Sequence, residues 1–186
     1  MAVVNTLASL VSNYDAQPRI ISSGYEAGAN DTVSVGIVAA VSTDSIGSTY
    51  RFGFLPSGAR IEDIQMQNDA TTAGVWQLGV YCNDQQSCTT VTGGVKTTAA
   101  PGAVPVTNAN VIFGTGISTA AANTTWKSVY APTILAAAQT ASNTRLRVWE
   151  ILGLDADPFY EFHLVLTATT APTANGKIAL QFTWVR

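Results

Sequence analysis

The residues of this chain best suited to chemistry are few and scattered. The single histidine, His163, falls inside an alternating run, on the side that also carries Glu161 and Thr167. An imidazole can move a proton near neutral pH, but a catalytic dyad needs a nucleophile, and no cysteine or serine motif accompanies this one. The expectation is an exposed or hydrogen-bonded strand histidine. The serines form neither a G-x-S-x-G elbow nor an S-x-x-K pattern, so hydrolase chemistry has no nucleophile. Four carboxylates gather at Glu150, Asp155, Asp157 and Glu161. A carboxylate pair can serve as acid and base in glycoside cleavage, but such a site also needs a cleft with aromatic platforms and polar sugar contacts. The run Asp155-Ala156-Asp157-Pro158 follows Gly153 and reads as a turn, with a Ca²⁺ site as the alternative. Gly93-Gly94 and Lys96 lack the spacing and the following helix of a phosphate loop. No catalytic residue, cofactor site or metal set is assigned, and the chain is expected not to be an enzyme.

Cys82 and Cys88 enclose five residues, which does not match C-x-x-C zinc or redox patterns. The spacing allows a disulfide closing a small loop. Cytosolic assembly would keep the thiols reduced, whereas release outside the cell would oxidise them, so both states stay open. The four tryptophans Trp76, Trp126, Trp149 and Trp184 could suggest a sugar-stacking surface, but three of them fall on apolar stripes, so core is the better reading.

The elements that position these residues are mostly strands. Tyr50 to Leu55 sets Tyr50, Phe52 and Phe54 against Arg51 and Gly53, the period of two of a strand with one buried face. Pro56-Ser57-Gly58 ends it with turn chemistry. Arg60 to Gln67 follows, where Ile61 cannot share a face with Ile64 and Met66 unless a bulge intervenes. After the polar loop Asn68 to Gly74, Val75 to Tyr81 places Trp76, Leu78 and Val80 on one face. Three consecutive antiparallel strands are expected here. Upstream, Thr32 to Val41 sets Val33, Val35, Ile37, Ala39 and Val41 against Ser34, Gly36, Val38 and Ala40, apolar enough on both faces for a central strand. Ser42 to Gly47 reads as a polar turn.

The remaining segments are less regular. Thr89 to Asn110, interrupted by Pro101 and Pro105, reads as a long loop that contacts a partner or lies over the sheet. Asn110 to Phe113 is a short strand candidate, Gly114 to Asn123 a loop, and Thr125 to Tyr130 an extended piece carrying Trp126 and Tyr130. Helices are expected over Ile134 to Ala141 and Thr144 to Leu152, the second capped by Asn143 and closed by Gly153. Phe159 to Ala168 and Gly176 to Val185 both alternate cleanly and read as a C-terminal hairpin. The expected fold is mainly β, an antiparallel β-sandwich of jelly-roll type with one or two short helices.

Met1 to Gln17 differs from the rest. Leu7, Leu10, Val11 and Tyr14 form one stripe of a short helix that Asn5 or Thr6 could cap, and Pro18 ends it. It is either a small helix packed on its own domain or an arm that orders against a neighbouring subunit. The division is thus an arm over 1–17 and a single β-sandwich domain over 18–186.

Composition narrows the function. The 186 residues suit one domain, and charged residues make up only 11% of the chain, against about 25% in a typical soluble domain. A surface so poor in charge suits a protein covered by a partner. A net charge of −3 with scattered Lys and Arg argues against nucleic-acid and anionic-membrane binding. No apolar run approaches the roughly 18 residues of a membrane span, and no secretory signal pattern opens the chain, so synthesis in the cytosol is expected.

The arm sequence NTLASLVSNYDAQP, the turn TYRFGFLPSGARI, the segment NDATTAGVWQLGVY and the late segment WEILGLDADPFYEF together resemble small structural proteins of tailed bacteriophages, the capsid decoration or cement proteins. The resemblance implies a β-sandwich or jelly-roll protein of the virion, made in the host cytoplasm. It would bind the outside of the head as a dimer or trimer across junctions between major capsid protein subunits. On that footing Val3, Val4, Leu7, Leu10 and Tyr14 are the anchors of the arm. The competing expectation is a carbohydrate- or receptor-binding β-sandwich of a phage tail or lectin-like module.

Overall fold

A computed structural model of the chain describes residues 5–7, 31–82, 88–92, 95–99, 112–130, 146–151 and 154–185. The strands are β1 (Asn5–Leu7), β2 (Asp31–Ala40), β3 (Thr49–Pro56), β4 (Arg60–Asn68), β5 (Val75–Cys82), β6 (Cys88–Thr92), β7 (Val95–Ala99), β8 (Ile112–Ser118), β9 (Asn123–Ser128), β10 (Glu161–Thr170) and β11 (Gly176–Val185), with a four-residue helix α1 (Val148–Ile151). Two sheets face each other. One has the order β1-β3-β10-β5-β8 and the other β2-β11-β4-β9, while β6 and β7 pair as a separate two-stranded hairpin.

The chain crosses from sheet to sheet at almost every step. With β1 and the β6–β7 hairpin set aside, the remaining eight strands stand first-eighth-third-sixth in one sheet and second-seventh-fourth-fifth in the other. That is the double Greek key of a jelly roll, here with one strand added beside β3 and one hairpin inserted between β5 and β8. The β-sandwich expected from the sequence is therefore the observed fold.

Several local expectations change with it. The turn at Pro56-Ser57-Gly58 carries the chain between sheets, so β3 and β4 are not paired neighbours, and β10 and β11 likewise lie in opposite sheets and form no hairpin. Among the described residues strand β2 pairs only with β11, as an edge strand and not a central one. Two adjacent strands, β6 and β7, occupy part of the segment expected to be a long loop. Strand β8 runs on to Ser118, through residues expected to loop. The late helix spans only Val148–Ile151 of the expected stretch; Ile134 to Ala141 lies outside the described residues. At the N-terminus, Asn5–Leu7 is a strand paired in parallel with Thr49–Arg51, so Leu7 does not open a helical stripe. The parallel ladder is short because only three residue pairs share it.

The core fills the space between the sheets. Trp76, Leu78, Leu164, Leu166 and Tyr50 from one sheet meet Ile61, Ile64, Met66, Ile178, Leu180 and Phe182 from the other, all buried. The rings of Tyr50 and Trp76 meet edge to face, 5.1 Å apart at 86°, a geometry that aligns the positive rim of one ring with the negative face of the other. The bulge expected in β4 is present. Thr183 pairs with Asp63 while Trp184 pairs with Ile61, so Glu62 is the extra residue and Ile61 returns to the buried face with Ile64 and Met66. A second bulge was not expected. Leu164 pairs with Gly53 and Val165 with Arg51, which makes Phe52 the inserted residue of β3. Beyond it the alternation reverses, so Leu55 is buried and Phe54 sits opposite His163 on the outer face.

Candidate interaction surface

The residues singled out for chemistry are dispersed. His163 is buried, not exposed: its Nδ1 lies 3.1 Å from the Arg51 guanidinium, and its ring meets Phe54 edge to face at 4.8 Å. Neutral imidazole can accept that guanidinium hydrogen bond. Tyr81 donates or accepts a short hydrogen bond with Thr167 on the same outer face. Burial pushes the Tyr81 phenol above its ordinary pKa, partly opposed by the Thr167 hydrogen bond and the positive charge of Arg51. The pair Arg51–His163 is thus a buried polar contact between paired strands β3 and β10.

Two of the four carboxylates, Glu150 and Asp157, are engaged by the backbone. Glu150 accepts the Arg147 amide at 2.7 Å and caps the start of α1. Asp157 accepts the Ser57 hydroxyl at 2.5 Å and the Phe159 amide at 2.8 Å, while Ser57 in turn accepts the Tyr160 amide at 3.1 Å. These bonds tie the β3–β4 turn to the chain entering β10. Among the described residues no group of three His, Cys, Asp or Glu side chains is placed to hold a metal. The tie has a consequence at the surface: Phe159 adopts a left-handed φ of 55° and stands 86% exposed. A bulky residue rarely takes that conformation, and here Asp157 holds it. Cys82 closes β5 and Cys88 opens β6; their side chains lie outside the described residues, as do Val3, Val4, Leu10 and Tyr14 and the side chain of Leu7.

What the structure does bring together is an apolar outer row. On β2 the side chains of Val33, Val35 and Ile37 all point outward and stand exposed, Val35 by 47% and Ile37 by 55%, and Val41 just past its end is exposed as well. Alternation explains the arrangement, since the opposite set, Val38 and Ala40, is buried in the core. Across the ladder, β11 sets Thr183, Gln181, Ala179 and Lys177 beside Val33, Val35, Ile37 and Ala39. The row runs on into the turn after β2, whose tip carries exposed Ile46. Asp44, buried beneath that turn, accepts the Val41 amide at 2.9 Å and a short hydrogen bond from the Tyr50 hydroxyl. Gly47 and Ser48 complete the clamp by bonding to Ala168 of β10 at 2.8 and 2.9 Å. A rigid turn therefore displays Ile46 at the end of the apolar row.

Sequence reading found these valines but assigned them to the core, because a strand with two apolar faces looks the same whether it lies in the middle of a sheet or at its edge. The tryptophans divide much as expected. Trp76 is fully buried, Trp149 and Trp184 are half-buried, and Trp126 on β9 is 37% exposed between exposed polar neighbours. No helix among the described residues is long and apolar enough to cross a membrane.

The described residues thus define a two-sheet jelly roll. No protein-family model matches the sequence, and no curated protein matches it. Solved structures do resemble it. A chain in the capsid of Ralstonia phage GP4 superimposes with a TM-score of 0.54 at 10% identity, over 98% of both chains. A chain of the cyanophage Pam1 capsid asymmetric unit aligns with a TM-score of 0.39 at 14% identity, over 90% of this chain and 92% of that one. The likeness to the GP4 chain, at 10% identity, is one of fold.

Proposed function

We propose that this chain is a virion structural protein that binds the outer surface of a phage head and stabilises it by bridging major capsid protein subunits. The observation that carries the reading is the end-to-end likeness of fold to a chain from the capsid of Ralstonia phage GP4. The physical features agree with it. A surface short of charge, a rigid jelly roll and apolar side chains held outward on β2 and at Ile46 suit extended contacts with other proteins. Many modest contacts, multiplied by the valency of a shell, sum to a strong hold. On this reading the chain acts by binding and not by catalysis.

A second reading rests on Trp126. Exposed on β9 beside Thr124, Thr125, Lys127 and Ser128, it has the amphipathic surroundings on which a sugar ring stacks, as in a receptor-binding or lectin-like module. Quantitative mass spectrometry of purified particles separates the two. Many copies in a simple ratio to the major shell protein support the head-binding role. A handful of copies moves the chain to a tail or receptor-binding device, and absence from the particle overturns both virion readings.

A further inference from the structure

We infer that β2 is a self-association strand, on which a second copy of this chain adds its own β2 antiparallel about a two-fold axis. The four sheet edges are not alike. Strand β1 is three residues long, β8 meets β5 with two register shifts, and β9 meets β4 through a register shift and carries Lys127. Short length, irregular register and charge are the devices that blunt an edge against further pairing. Strand β2 is neither short nor irregular: it pairs with β11 through ten consecutive residues without a register shift, and it carries no proline and a single charge, Asp31 at its first residue. Among the described residues its other side is unpaired, a long, regular row of main-chain donors and acceptors flanked by the exposed Val33, Val35 and Ile37.

Charge argues for a second copy as the occupant. From Thr32 to Ala40 the row is uncharged, so a partner strand bearing Lys, Asp or Glu along its length would find no counter-charge there, whereas β2 itself brings only Asp31, at its first residue. Lys177, the charged residue of the adjoining β11 row, stands beside Ala39 near one end. An antiparallel two-fold pairing separates the two Lys177 side chains by three strand spacings of about 4.8 Å each, beyond the roughly 10 Å over which salt leaves surface charges coupled. β-Branched side chains facing one another across a ladder are favourable cross-strand pairs. The product joins two four-stranded sheets into one of eight strands, with the valines and isoleucines of both copies side by side.

The inference stands apart from the virion reading, because it is tested on the purified full-length chain alone. Sedimentation equilibrium should give a dimer, and Ile37→Lys and Val35→Lys, both at exposed positions, should each raise its dissociation constant by on the order of 100-fold with unchanged circular dichroism. A wild-type chain that stays monomeric up to about 100 µM, that forms trimers, or whose dimer survives both substitutions would overturn it. Should either variant unfold, amide exchange on the wild type decides: protection of β2 that grows with protein concentration supports the pairing, and protection independent of concentration overturns it.

Discussion

The backbone of Gly36 in β2 rests almost directly on that of Phe52 in β3: a Cβ placed at Gly36 would lie 2.2 Å from the Phe52 carbonyl oxygen. The close approach falls at the bulge residue of β3. Only a residue without a side chain fits, and the obstacle is main chain that cannot rotate away. Gly36→Ala should therefore destabilise the fold by at least about 2 kcal/mol through forced separation of the sheets. Urea unfolding checks it, with an unchanged m-value expected if both states keep their compactness. Equal stability of the variant would mean that β2 lifts from β3 freely.

A second tie closes the end of the sandwich where β5 begins. The Trp76 indole donates to Thr119 Oγ1 at 2.7 Å, and the same oxygen lies 2.5 Å from Thr71 Oγ1, all three residues fully buried. The backbone repeats the connection, with Thr71 and Thr119 joined at 2.9 Å and Thr119 joined to Gly74 at 2.9 Å. Gly74 stands so close to both hydroxyls that a Cβ there would meet them at 2.5 and 2.6 Å. Thr119→Val keeps the shape and removes the acceptor, leaving a buried indole N–H unsatisfied. A loss of about 1–3 kcal/mol is expected, and Trp76→Phe should cost less in the Thr119→Val background than it does alone, as measured by a double-mutant cycle.

These relationships mark the boundary of what the sequence discloses. The strands Val75 to Tyr81 and Gly176 to Val185 were legible because their period of two is complete, and the β4 bulge because Ile61, Ile64 and Met66 cannot otherwise share the core. Sheet membership was not. A turn such as Pro56-Ser57-Gly58 has the same composition whether it closes a hairpin or carries the chain across a sandwich, so β3–β4 and β10–β11 were paired wrongly. The phase reversal at Phe52 was hidden because every side chain around it is aromatic or aliphatic or, like Arg51, buried by contacts far away in sequence. The apolar surface row was in plain view yet read as core, because periodicity reports which residues share a face and not which face is covered.

Alkaline pH should weaken the fold through its tyrosines. Burial, then the hydrogen bond to Asp44 and its negative charge, raise the pKa of Tyr50 well above 10.0; burial also raises Tyr81 and pushes Tyr130 up to about 12. A folded-state pKa above the unfolded value means the native state holds its proton more tightly. The contribution is therefore complete below about pH 10 and is lost as pH climbs above it, where the unfolded chain ionises first. Unfolding midpoints should stay level up to that pH and then fall. Tyr50→Phe should be less stable near neutral pH, because Asp44 loses a buried donor, yet decline less steeply in alkali. A profile as steep as wild type would remove Tyr50 from the account.

The N-terminal strand bears on how the proposed head attachment is tested. Because Asn5–Leu7 pairs with Thr49–Arg51 of its own chain, deleting 1–17 would remove an arm and also strip a strand from the edge of β3. The ladder is only three residues long, while β3 keeps its pairing with β10 from Thr49 to Pro56, so the truncated chain should fold and unfold cooperatively with a small loss of stability. Its signature should be local: faster amide exchange within Thr49–Arg51, with β10 and β5 still protected. If this truncated chain fails to bind particles while its exchange elsewhere matches wild type, the loss belongs to the arm. Weakened protection spreading through β10 would instead show that β1 supports the sheet, and loss of binding would then reflect the fold.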